Sequence, residues 1–151
     1  MSPTTQRLFN TAMLLFVVSL VGLVLAWIFD WPAQLGGGDG SQHLTFRDAV
    51  LLGSVTSLPP IPWIALTLFG LLIPARRWWG TVAVVGLILL GALFIFGGLG
   101  EAFAPESSTE IVPRAVLVIG GGVYVAFGLA LIWFGIADLR HRMRSGQPAV
   151  A

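Results

Sequence analysis

The residues of this chain able to do chemistry are few and fall in three places. The stretch GGGDGSQHLTFRD carries Asp39, His43 and Asp48. Together with Glu101 these are the groups that an enzyme working on lipid headgroups would need as acid, base or cation ligand. Their spacing matches neither a calcium loop nor a zinc pattern, and nothing in the sequence brings them to one point. No catalytic residue and no metal site is therefore assigned, no cofactor is expected, and the expectation is a protein that is not an enzyme.

The second place is SVTSLPPIPW, Ser54 to Trp63, where Pro59, Pro60 and Pro62 interrupt an apolar run. Each proline lacks an N–H and disfavours helix in the residue before it. Two readings follow. In the simpler one a helix starts here, capped by Ser57, because prolines in a first turn lose little. Residues 45–57 then form a short helix in the membrane interface. In the other the second span is discontinuous, with irregular backbone at Leu58–Pro62 freeing carbonyls beside Ser54, Thr56 and Ser57. Such breaks line binding sites in transporters. Ser54, Thr56, Ser57, Pro59, Pro60, Pro62 and Tyr124 are the candidate ligand-binding residues on that second reading.

The third place is the basic tail LRHRMRSG. Its Arg140, Arg142 and Arg144, with Arg76 and Arg77, are candidate contacts for anionic lipid headgroups. Arginines beside a span are explained by topology, so no nucleic acid is expected. Glu110 and Arg114, like Asp138 and Arg142, stand four apart, the spacing of ordinary helix-end pairs worth a few tenths of a kcal/mol.

The elements that position these groups are membrane spans. Of the 151 residues 56% are hydrophobic and 10% charged, against about 25% charged in a soluble domain. About 20 apolar residues cross a bilayer as a helix, and four stretches qualify: about 8–29, 58–75, 78–98 and 112–137. The first is longer than a signal-peptide core and ends in Trp27, Phe29 and Trp31 rather than a small-residue cleavage site, so it reads as a retained span. The absence of cysteine excludes disulfides and thiolate chemistry.

With four spans both termini share a side. Arg7, Arg76, Arg77, Arg140, Arg142 and Arg144 lie there, against Arg47 and Arg114 on the other. By the positive-inside rule both termini are cytoplasmic, in the cell membrane. Trp27, Trp31 and Trp63 fall at outer ends and Trp78, Trp79 and Trp133 at or near inner ends, as aromatic belts require. Small residues recur at packing distance in Ser19, Gly22 and Ala26 of the first span and in Gly122, Ala126 and Ala130 of the fourth. These faces pack within the bundle or dock a neighbouring subunit.

In size and span count the chain resembles the small multidrug-resistance exporters. The essential glutamate of their first helix has no counterpart in Leu8–Phe29, so the resemblance carries over no functional residue.

The expected fold is all-α: an up-down, integral membrane four-helix bundle forming a single domain, with a short interfacial or re-entrant helix before the second span. The loop spans 30–57 and a basic cytoplasmic tail 138–151. The expected function is a non-catalytic structural or accessory subunit of a membrane assembly. Its partners would be membrane lipids and other membrane subunits or further copies of itself. The alternative is a small oligomeric transporter or channel for a neutral or lipophilic ligand.

Overall fold

The computed structural model describes residues 2–31, 45–53, 56–75, 78–103 and 112–144. All regular structure among them is helical: α1 (Pro3–Ile28), α2 (Phe46–Leu52), α3 (Pro60–Leu72), α4 (Trp78–Ala102) and α5 (Arg114–Arg144). Three of these, α1, α4 and α5, are long and apolar enough to cross a membrane. The four larger helices pack in the cyclic order α1, α3, α4, α5, each antiparallel to the next, and α2 leans on α1 and α3. This is the expected all-α up-down bundle. One end gathers the start of α1, the end of α3, the start of α4 and the arginine-rich end of α5. It is called the basic end below.

Local chemistry sets the helix limits. Ser2 caps α1, its Oγ accepting from the Thr5 N–H at 3.1 Å, and Pro3 takes the first helical position, where its missing N–H costs nothing. At the far end Asp30 adopts φ 54°. The Trp31 N–H returns to the Ala26 carbonyl at 2.9 Å and the Asp30 N–H to Trp27 at 3.4 Å. That is a Schellman closure with aspartate where glycine is usual. Helix α5 runs about two turns past the expected span end, to Arg144.

The long helices are apolar all round, so the face each buries is set by small and polar residues. Helix α1 buries Leu8, Ala12, Leu15, Ser19, Gly22 and Ala26, and α5 buries Leu117, Gly121, Tyr124, Gly128, Leu131, Gly135 and Asp138. Both sets alternate steps of three and four, the seam of antiparallel bundle packing. Along α4 and α5 the seam brings backbones into contact: a methyl placed on Gly128 would lie 2.5 Å from the Gly91 carbonyl oxygen, and one on Gly98 would strike the Gly121 carbonyl.

Of the two uses open to the row Gly122, Ala126 and Ala130, packing within the bundle is the one the structure does not show. Gly122 and Ala126 are exposed and Ala130 half-buried, and nothing lies near a methyl added at Gly122. The neighbouring row Gly121, Gly128 and Gly135 does the packing instead. Hydropathy alone does not choose between rows one residue apart on a uniformly apolar helix. In the first span, Ser19, Gly22 and Ala26 are all buried.

The second crossing also departs from a single span over 58–75. Helix α3 has 13 residues, about 20 Å at ~1.5 Å each, well short of the ~30 Å hydrocarbon core. The remaining depth is filled by α2 and the non-helical residues 56–59. Phe46 packs edge-on to Trp27 at 5.6 Å, and Val50 joins Leu23 and Ala26. The helix expected over 45–57 is therefore the shorter Phe46–Leu52, set along the last turns of α1.

Substituting Gly128 by valine should overpack the α4–α5 seam and cost about 1–3 kcal/mol. Gly122→Val, on the open face, should leave the melting temperature in mild detergent unchanged. Equal melting temperatures for the two variants would contradict this seam.

Candidate functional site

Two buried polar clusters hold the bundle, one at the helix break and one at the basic end. The break comes first. Gly53 takes φ 71°, a conformation open to glycine at little steric cost, and residues 56–59 then run non-helically against α1. Thr56 donates its hydroxyl to the Gly22 carbonyl at 2.8 Å. Ser19 Oγ accepts from the Leu58 N–H at 2.8 Å and from Trp63 Nε1 at 2.7 Å. Tyr124 of α5 donates its hydroxyl to the Thr56 carbonyl at 2.9 Å.

Ser19 stands near the middle of the apolar stretch Leu8–Phe29, roughly 15 Å from either end at ~1.5 Å per residue. The break is therefore at mid-bilayer depth by residue count. Non-helical backbone survives at that depth only when protein satisfies it.

The three prolines now have a physical role. The first N–H groups of a helix lack internal acceptors, and lipid offers none. Pro59, Pro60 and Pro62 have no N–H to leave unpaired, so Ile61 is the only residue from 59 to 62 that carries one. The Leu58 N–H is bound by Ser19, and the Trp63 N–H reaches the Pro59 carbonyl at 3.4 Å. The helix-start and broken-span readings each hold part of the answer. A helix does begin at Pro60, with Pro59 as its extended N-cap. It begins beside the middle of α1, and a separate helical piece, α2, precedes it.

Trp63 is consequently displaced from its expected place in an interfacial belt. Its indole N–H is spent on Ser19 and its ring packs on Phe16 at 5.8 Å. Of the other candidate ligand residues, Ser57 is buried with its hydrogen bonding engaged, and Pro59, Pro60 and Pro62 are half-buried. Ser54 lies outside the described residues. Thr56 and Tyr124 are brought together, the Tyr124 hydroxyl on the Thr56 carbonyl and the Thr56 hydroxyl on the Gly22 carbonyl.

The second cluster was not expected as a buried site. Asp138 is fully buried. Thr5 donates its hydroxyl to Asp138 Oδ1 at 2.5 Å, and Arg142 Nε donates to Oδ2 at 2.6 Å. The Arg142 guanidinium continues to the Ile73 carbonyl at 2.8 Å and the Ala75 carbonyl at 3.4 Å. Those carbonyls lie just past α3, where a helix end leaves acceptors unpaired. One ion pair thus ties α1, α3 and α5, and Gly80 of α4 sits against it so closely that a methyl there would meet Arg142 at 2.7 Å.

Two expectations change as a result. Asp138 and Arg142 do stand four apart on one helix, but the pair is a buried clamp rather than a solvated helix-end contact. Arg142 is turned inward and does not face lipid headgroups with Arg140 and Arg144. The signal in the sequence was the single acid of the basic tail; what hid it was that Thr5, its partner, is 133 positions away.

Arg76, Arg77, Glu110, Asp39 and His43 lie outside the described residues, as does the side chain of Asp48. Glu101 falls in the last turn of α4. Among the described residues no group of three or more His, Asp or Glu could hold a metal ion, and no buried side-chain polar atom lacks a hydrogen-bond partner.

Fold and clusters together define the class: an all-helical membrane-spanning bundle whose embedded polar groups are turned on one another. Comparison with protein-family models, with curated proteins and with solved structures finds no match.

Ser19→Ala should strand two buried donors at about 1–3 kcal/mol each. Adding Trp63→Phe should recover part of that loss, and detergent melting curves of the single and double variants measure it. At the other cluster, Arg142→Met should cost about 3–5 kcal/mol by leaving the Asp138 charge uncompensated. The double variant D138L/R142M should melt higher than R142M alone. A double variant no more stable than the single one would mean that Asp138 and Arg142 are not coupled.

Proposed function

We propose that this protein is a non-catalytic structural or accessory subunit of a membrane protein assembly. It sits in the cell membrane with both termini in the cytoplasm. The observation that carries the reading is the outward row Gly122, Ala126 and Ala130 on α5. Small residues at four-residue spacing let a second helix approach closely, and this bundle uses the adjacent row for its own packing. The internal hydrogen bonding of Ser19, Thr56, Trp63, Tyr124, Thr5 and Asp138 supports it too, because a scaffold needs such groups only to hold its shape.

One observation favours a second reading, a small oligomeric transporter or channel for a neutral or lipophilic ligand. It is the break between α2 and α3 at mid-membrane depth, an arrangement that transporters use around their sites. Against that stands the internal pairing of the hydroxyls described there.

Purification from native membranes in mild detergent, followed by particle mass, separates the two. The subunit reading expects co-purifying chains that are lost in G122L/A126L while the melting temperature of the isolated chain holds. A homogeneous small oligomer indifferent to both changes, with flux that falls in P59A/P60A, would replace it with the transporter. Orientation has its own test, since the chain has no cysteine of its own. A membrane-impermeant maleimide on intact cells should label Ser107→Cys and spare Ser145→Cys; the opposite pattern would reverse the topology.

A further inference from the structure

A cleft of about 550 Å³ opens at the basic end between α1 and α5, lined by Thr4, Ala137, Arg140, His141 and Arg144. We infer that it binds the phosphate group of an anionic glycerophospholipid. The inference goes beyond the subunit reading and does not depend on it.

Helical spacing builds the cleft. Residues 137, 140, 141 and 144 are three, four and seven apart, so they share one face of α5. Arg142 is on another face and is committed to Asp138, Ile73 and Ala75. Asp138 is the only acid in α5 and is held by Thr5 and Arg142. The first turn of α1 has no acid, so among the described residues no carboxylate lines the cleft. The N-terminus of α1 and the C-terminus of α5 meet here, and their partial charges of about +0.5 and −0.5 offset one another. The two arginines therefore set the sign, and their guanidinium groups match phosphate geometry.

The surface beyond the cleft selects a lipid over a soluble anion. Trp133 lies one turn before Ala137 on the same face, with 73% of its surface exposed. An indole beside a basic cluster is the side-chain order of the headgroup region. A phosphate held by Arg140 and Arg144 would leave its acyl chains along the apolar flank of α5.

Native mass spectrometry of the full chain in neutral detergent, titrated with phosphatidylglycerol, tests this. One retained adduct is expected, with phosphatidylcholine retained far less. The double variant R140Q/R144Q should bind about thirtyfold more weakly, roughly fivefold per arginine, whereas R114Q at the opposite end should bind as the parent does. Ala137→Phe, which fills the cleft without changing charge, should also abolish the adduct and covers the case in which the arginine variant folds poorly. Equal retention of the two lipids, an equal loss in R114Q, or an undiminished adduct in Ala137→Phe would overturn the proposal. So would displacement by millimolar inorganic phosphate, which would mark a site for a soluble anion.

Discussion

Hydrocarbon accepts no hydrogen bonds, and the rest of this structure depends on how the chain meets that constraint where its second crossing is not helical. An unpaired backbone group in lipid costs several kcal/mol, comparable to a sizeable share of a domain's whole stability. The chain meets the demand from both sides. Prolines remove donors at 59, 60 and 62, and side chains from two other helices bind two further groups: Ser19 takes the Leu58 N–H, and Tyr124 supplies the Thr56 carbonyl. Neither device suffices alone. The prolines leave the Leu58 N–H and the Thr56 carbonyl to be met from α1 and α5, and Ser19 and Tyr124 find those partners in the break.

The cluster at the basic end answers a related problem with charge. Arg142 closes the end of α3 from a different helix, bonding carbonyls that the helix itself leaves open. Burying an ion pair is not in itself stabilising, since desolvation can exceed the attraction. What the pair supplies is registration. Thr5, Asp138 and Arg142 satisfy one another only when α1, α3 and α5 are at one relative height. A one-residue slip of α5 would rotate Asp138 by ~100° and leave the carboxylate unpaired. The hydrophobic effect does not set this register, because lipid tails are as apolar as the leucines that would otherwise choose it.

The long apolar helices, their antiparallel order and the arginines at the end of α5 were legible in the sequence, because span length and charge placement are properties of single segments. The break was legible as a place, in Pro59, Pro60 and Pro62, though not as a depth. That depth is set by contacts between Thr56 and Gly22 and between Leu58 and Ser19, residues more than 30 positions apart. Trp63 was misplaced for the same reason: an indole in the first turn of a span looks interfacial unless the span starts halfway down. Asp138 was one residue beyond the expected end of its span, and the further two turns or so of α5 keep it within the helix, against Thr5 and Arg142. The pairing of Gly121 rather than Gly122 could not be read, because three consecutive glycines offer every face and the choice belongs to Gly98 on the partner helix.

That ambiguity at 120–122 has a structural consequence. A helix with one glycine facing inward and the next facing outward can be approached closely on two sides at once. The inward row is closed by α4, with backbone against backbone, so α5 is fixed before any neighbour arrives. The outward row then presents a groove on a rigid post rather than on a mobile helix, and a partner docking there would lose little conformational freedom on the side of this chain. The same rigidity reaches the basic end, where Asp138 and Arg142 pin the last turns of α5 and so hold Arg140 and Arg144 along the cleft. In this bundle the buried polar groups hold two outward surfaces, one of small residues and one of arginines, in fixed relation to each other.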